Sequence, residues 1–296
     1  MIKPRPFAAA VFLFAFAHGH AASTVPLPSW VCASGGDIVF RSGFELSDAF
    51  PHDPSNGSGG AYPGNQTRVI TVPNVGNRAF YLRLPPDYTP ARSWPLLLAL
   101  HGATGSAATA PAAAQTVRSD WSTWSDSRGF IVLAPVATGT QGGWDPDVDV
   151  PTMDAALNDT MARYNVEQSR IDLWGYSAGA HVAHALALNN TDYFAAYGVS
   201  AGSLEAYACT DDGSYPPTCA ALLAGTQPKI PVDIHLGTSD PLYTTYGAGN
   251  DPARFQNGGW VLNQNLFYTL FAGGHTYSVA QLGEIWTNIC PFALGP

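Results

Sequence analysis

The stretch Ile171-Asp172-Leu173-Trp174-Gly175-Tyr176-Ser177-Ala178-Gly179 decides the fold. Its apolar start reads as a strand that enters a G-x-S-x-G pentapeptide, and the small-residue run from Ala178 to Leu188 reads as a helix. Strand, tight turn and helix in that order are the setting of a nucleophile elbow. The glycines answer a steric need. The turn is too sharp for bulky side chains beside the serine, and its strain lifts the hydroxyl clear of the backbone. The helix then aims its first N–H groups at negative charge developing near that hydroxyl. Alone, G-x-S-x-G is a weak pattern in a chain rich in glycine, serine and alanine. The flanking strand and helix give it weight.

Outward from the elbow, strands and helices alternate. Leu96 to Leu100 and Gly129 to Ala134 are continuous apolar runs, as expected of strands buried on both faces. A helical stretch around Ala107 to Ser125 separates them. Val150, Met153, Leu157, Met161 and Tyr164 recur at helical spacing. Phe194–Val199, Val232–Leu236 and Leu266–Phe271 continue the strand series. Ser278 with Gln281 resembles a capping box that opens a last amphipathic helix through Ile289. Before all these, Val69–Val72 and Ala79–Leu84 read as two strands joined at Pro73-Asn74-Val75-Gly76-Asn77. The expectation is an α/β fold: a mainly parallel sheet with an N-terminal antiparallel hairpin and helices on both faces.

A serine hydroxyl is a poor nucleophile without a base within hydrogen-bond reach and an acid that orients the base. In such a fold the chain order is Ser, then Asp or Glu, then His. Asp240 fits the acid: it lies in Gly237-Thr238-Ser239-Asp240-Pro241, directly after a strand. Asp233 is inside that strand, and Asp211 and Asp212 follow none. His275 fits the base, in Gly273-Gly274-His275 after the Leu266–Phe271 strand, and no other histidine follows Asp240. The oxyanion hole needs two backbone N–H groups. Ala178, after the nucleophile, is one candidate. Ala103, in the loop His101-Gly102-Ala103-Thr104-Gly105, is the other. His101 reads as a structural residue of that loop, and His235 as a sheet residue. His181 and His184 have i, i+3 spacing but no visible third ligand, so no metal and no cofactor is expected. Trp121, Trp124, Trp144 and Trp260 are either packing or the lining of an aromatic groove.

The chain has 13 basic and 22 acidic residues and no basic run, so nucleic acid is excluded as a partner. Residues 1–22 read as a secretory leader: Lys3 and Arg5, then apolar Phe7 to Ala17, then small residues about position 21 or 22. Its removal takes the net charge from −9 to −11. That apolar run is too short to span a membrane core of about 30 Å, and no later run is long enough. Residues 23–65 are expected as an extension and linker. In it Asp37 to Phe44 reads as a short strand, and Ser47 to Gly64 is punctuated by proline and glycine. Residues 66–296 are the catalytic domain. The even count of Cys32, Cys209, Cys219 and Cys290 in an exported chain suggests two disulfides, with three possible pairings. The short polar stretch Thr210 to Thr218 favours Cys209–Cys219, which leaves Cys32–Cys290. The segment Ser203 to Pro228 is expected as a loop-rich insertion over the site.

From Gly76 to about Pro291 the chain resembles the extracellular esterase family that includes polyhydroxybutyrate depolymerases and feruloyl or acetylxylan esterases, within the α/β-hydrolase superfamily. The resemblance rests on Asn77-Arg78, Leu82-Arg83-Leu84-Pro85-Pro86, Leu100-His101-Gly102, Ala162-Arg163-Tyr164-Asn165-Val166, the elbow, Gly237–Pro241 and Gly273-Gly274-His275. It implies Ser177 as nucleophile, Asp240 as acid and His275 as base. The chain departs from the family at Ala103, where a cysteine is common, at Tyr176, where a leucine is common, and at Leu236, which intervenes in a common His-Gly-Thr. The expected function is that of a secreted, monomeric serine esterase whose partner is a polyester or oligoester of the hydroxyalkanoate type. Feruloyl or acetylxylan esters are the alternative. Rivals are a serine peptidase of the prolyl-oligopeptidase type and a non-catalytic binding protein on a hydrolase scaffold.

Overall fold

A computed structural model describes residues 54–212, 217–245 and 247–294. The leader, most of the extension with its expected strand, and Cys32 lie outside the described residues. Eight strands form one sheet: β1 (Gly64–Val72), β2 (Gly76–Leu84), β3 (Trp94–Leu100), β4 (Ile131–Pro135), β5 (Val166–Tyr176), β6 (Tyr197–Ser200), β7 (Val232–Gly237) and β8 (Leu266–Phe271). The helices are α1 (Ala110–Arg128), α2 (Pro146–Arg163), α3 (Ala178–Asn189), α4 (Cys219–Gly225), α5 (Leu242–Thr245), α6 (Asp251–Asn257) and α7 (Val279–Ile289). The strand order is β1-β2-β4-β3-β5-β6-β7-β8. β1 and β2 form the expected hairpin and pair antiparallel, as do β2 and β4; every other pairing is parallel.

The sequence patterns explain the layers. β3 (Trp-Pro-Leu-Leu-Leu-Ala-Leu) is buried at every position because helices cover both sides of it. β1, at the sheet edge, alternates between partly buried and exposed residues over most of its length. On one face, α2 and α3 pack Met153, Leu157, Val182 and Leu186 against Leu96, Leu98 and Leu173. On the other, α1 and α7 pack Val117, Trp121, Ile285 and Trp286 against Leu97, Val132 and Trp174. Phe130 and Trp286 stack there with ring centroids 3.7 Å apart. The capping box at Ser278 and Gln281 is present at the start of α7.

The strand order reverses around β3: the chain passes from β3 to β4 on one side and then to β5 on the other. In parallel sheets such a reversal opens a crevice at the carboxyl ends of the strands. The loops after β3 and β5 meet there.

The stretch before β1 is not a free linker. Ser55 N–H donates to the Val166 carbonyl at 2.9 Å, and its hydroxyl donates to the Tyr164 carbonyl at 2.8 Å. Tyr62 stacks edge-on to Tyr88 at 4.9 Å. Two of the glycines that suggest flexibility, Gly57 and Gly60, serve close approach instead. A Cβ on Gly57 would lie 2.1 Å from the Met161 carbonyl oxygen, and one on Gly60 would lie 2.3 Å from the Tyr164 ring. Residues 54–63 are thus a packed strap across the end of α2. Gly57→Ala is expected to destabilise the protein by about 1–3 kcal/mol through overpacking, read from urea unfolding; unchanged stability would show that the strap is dispensable.

Candidate active site

Ser177 sits between β5 and α3 with φ 54° and ψ −119°, a strained conformation for a residue with a side chain. Its neighbours make the turn possible. A Cβ on Gly175 would lie 2.2 Å from the Gly179 carbonyl oxygen, and one on Gly179 would lie 2.4 Å from that of Leu100. The bare backbone lets α3 press against the end of β3. Ser177 N–H is held by the Ser200 carbonyl at 3.0 Å.

The three residues expected to act together do meet. Ser177 Oγ is 2.7 Å from His275 Nε2. His275 Nδ1 lies 3.0 and 3.1 Å from the two Asp240 carboxylate oxygens. The Asp240 side chain is fully buried, whereas that of His275 is 35% exposed. Asp240 Oδ1 also accepts from Leu242 N–H at 2.8 Å. A buried carboxylate so placed holds Nδ1 as the donor, leaving Nε2 as the acceptor that faces the serine. The acid and base loops are joined backbone to backbone: Ser239 N–H donates to the Gly273 carbonyl at 2.8 Å. Gly237 permits this, since a Cβ there would lie 2.4 Å from the Gly274 carbonyl oxygen. Gly274 itself faces open space.

The His101–Thr104 loop runs beside the serine; a Cβ on Gly102 would come 3.1 Å from Ser177 Cβ. His101 orients this loop. Its Nε2 accepts from Ala137 N–H at 3.2 Å, so Nδ1 is the donor, and it meets the Gly102 carbonyl oxygen at 2.7 Å. Burial pushes the His101 pKa down and keeps the ring neutral. Holding the Gly102 carbonyl turns the opposite edge of that peptide, the Ala103 N–H, away from His101. Ala103 is exposed, and Ala178 begins the helix whose positive end faces the serine. Trp144 donates its indole N–H to the His101 carbonyl at 2.8 Å. Asp149 braces the next loop by accepting from Asp145 and Thr138 N–H at 2.7 and 3.1 Å; burial raises its pKa to about 6.

Other expected residues fall elsewhere. His181 and His184 are buried in α3. His181 Nδ1 accepts from Ser203 N–H at 3.0 Å, and His184 Nδ1 lies 3.1 Å from the Tyr197 hydroxyl. Burial lowers their pKa values to about 4 and about 3. His235 is buried in β7, with Nε2 3.2 Å from Asp233. Trp121 and Trp260 are core residues, and Trp124 packs under α7. Of the four, Trp144 braces the site through its bond to the His101 carbonyl.

The insertion after β6 is held at several points. Cys209 and Cys219 form a disulfide. Cys290 is buried at the end of α7. Arg254, on α6, binds Glu205, Asp211 (2.7 Å) and Asp251 (2.8 Å). Asp251 in turn accepts from Leu204 N–H at 3.0 Å. No sequence pattern flags the Arg254 cluster, because its members are scattered from residue 205 to residue 254.

The sheet order, the strained serine after β5 and the loops that meet it give the chain an α/β-hydrolase fold. No family profile matches the chain. Part of it is similar to a poly(3-hydroxybutyrate) depolymerase of Ralstonia pickettii, 28% identical over 170 residues. That match covers 52% of this chain and 35% of the relative, so the chain spans about a third of the curated relative's length. Among solved structures, a ferulic acid esterase superposes with a TM-score of 0.58 at 16% identity, covering 77% of this chain and 99% of that one. An S-formylglutathione hydrolase from Agrobacterium tumefaciens gives 0.52 at 16% identity, with 77% and 94% covered. These neighbours share the fold, and the sequence match agrees with the esterase resemblance read from the motifs. No helix among the described residues is long and apolar enough to cross a membrane.

Asp240→Asn is expected to keep the geometry but present an amide to Nδ1. Labelling of Ser177 by a fluorophosphonate should slow about 10⁴-fold; an unchanged rate would uncouple Asp240 from the serine. Replacing Cys209 and Cys219 together by serine should cost about 2–3 kcal/mol, measured by urea unfolding.

Proposed function

We propose that this chain is a secreted serine esterase that hydrolyses carboxylic esters through an acyl-enzyme, with hydroxyalkanoate-type polyester or oligoester as substrate. The observation that carries the reading is the hydrogen-bonded run from Ser177 Oγ through His275 to buried Asp240. The similarity to the Ralstonia pickettii depolymerase supports the substrate class. The leader-like residues 1–22 and the Cys209–Cys219 disulfide support export.

In this reading Ser177 Oγ attacks the ester carbonyl carbon while His275 Nε2 takes its proton. Asp240 stabilises the imidazolium. The carbonyl oxygen, now an oxyanion, is held by the N–H groups of Ala103 and Ala178. Collapse of the intermediate breaks the ester C–O bond, and His275 hands its proton to the leaving alcohol. Water then attacks the acyl group, giving a proton to His275, and the second collapse returns that proton to Ser177 Oγ. The chain's own groups account for every proton transfer.

The test is hydrolysis of a poly(3-hydroxybutyrate) suspension and of methyl ferulate, with Ser177→Ala as blank. The expected result is clearing of the suspension, lost by about 10⁴–10⁶-fold in the variant. Release of ferulate without clearing would move the substrate to plant cell-wall esters. Equal turnover by Ser177→Ala would overturn the assignment of the nucleophile.

A further inference from the structure

Tyr176 and Ser177 are consecutive, and both reach His275. Ser177 Oγ lies 2.7 Å from the imidazole Nε2, and the Tyr176 hydroxyl donates to the His275 backbone carbonyl at 2.9 Å. With the 176–177 peptide bond, these contacts close a ring that grips the histidine by side chain and backbone together. The Tyr176 ring is fixed on several sides. It lies 5.5 Å from the His275 ring and edge-on to Tyr277 at 4.8 Å. It also faces Gly102, where a Cβ would come within 3.0 Å of it. Tyr277 is itself anchored, donating to Asp120 on α1 at 2.6 Å.

The base loop needs such a hold. His275 is exposed, Gly274 beside it has open space, and residues 272–278 belong to no helix or strand. Misplacement of a reacting group by about 1 Å can cost on the order of 10²-fold in rate. The two grips on His275 do not act equally through the reaction. Once Ser177 is acylated, its Oγ has no proton to donate, and the side-chain grip opens. The Tyr176 hydroxyl remains on the His275 carbonyl.

We infer that Tyr176 is a positioning residue for the base: its hydroxyl holds the His275 backbone in place after acylation, while the imidazole draws a proton from the attacking water. This rests on the acyl-enzyme reading above. It assigns a task to the residue before the nucleophile, where the chain departs from the leucine common in the family it resembles.

The experiment is stopped-flow hydrolysis of p-nitrophenyl butyrate by the full-length protein and by Tyr176→Phe, which keeps the ring. The acylation burst and the steady-state rate are read separately, with the melting temperature alongside. Loss of one positioning hydrogen bond should slow deacylation about tenfold and acylation less than about threefold, so that kcat and KM both fall. Melting should stay within a few degrees of wild type. Both rates unchanged, or both slowed by the same factor, would overturn the inference while leaving Ser177 as the nucleophile. A wild-type protein with no acylation burst and no fluorophosphonate labelling would remove the acyl-enzyme itself, and this inference with it.

Discussion

Contact between bare backbones at the carboxyl edge of the sheet is the constraint on which the site depends. Gly179 lets the first turn of α3 touch the carbonyls that end β3, and Gly175 lets the elbow fold on itself. Gly237 lets the acid loop lie on the base loop. Each approach is closer than any Cβ allows. Together they bring loops from β3, β5, β7 and β8 within reach of one serine hydroxyl. The strain stored at Ser177, about 1–3 kcal/mol for such a conformation, is carried by a helix whose residues Gly179 to Leu188 are all buried.

Neutral histidines do much of the supporting work around this frame. His101 and His181 are both buried, and burial keeps both uncharged. Each accepts a backbone N–H that a cation could not accept: Ala137 for His101 and Ser203 for His181. His275, whose side chain is 35% exposed, stands apart from them and is the one that carries a charge in the proposed reaction. Burial and partner chemistry, rather than residue type, divide the labour among them.

Much of this was legible in the sequence because the signals were local or followed chain order. The unbroken apolar run of β3 announced a strand covered on both faces. The glycines at the elbow announced a tight turn, and Asp240 and His275 were found by their places after successive strands. What was missed has no local signal. The strap before β1 reads as a linker because glycine, proline and serine are also the residues of flexible chain, and only the fold shows that Gly57 and Gly60 press against the end of α2. The tyrosine–histidine grip joins positions 99 residues apart. The tryptophans could not be sorted from composition, since an indole in a core and one in a groove look alike in a sequence.

The insertion after β6 is secured in two unlike ways. The Cys209–Cys219 bond is covalent and exists only where the surroundings are oxidising. The cluster of Arg254 with Glu205, Asp211 and Asp251 is electrostatic and indifferent to oxidants. Without the covalent bond the insertion still has its charged contacts, one of which, on Asp211, is half exposed. Exposed charges are weakened by dissolved ions. With the bond intact the insertion keeps a hold that dissolved ions do not weaken; with it reduced, the Asp211 contact is the part of the remaining hold most open to salt, since Asp251 and Glu205 are better buried.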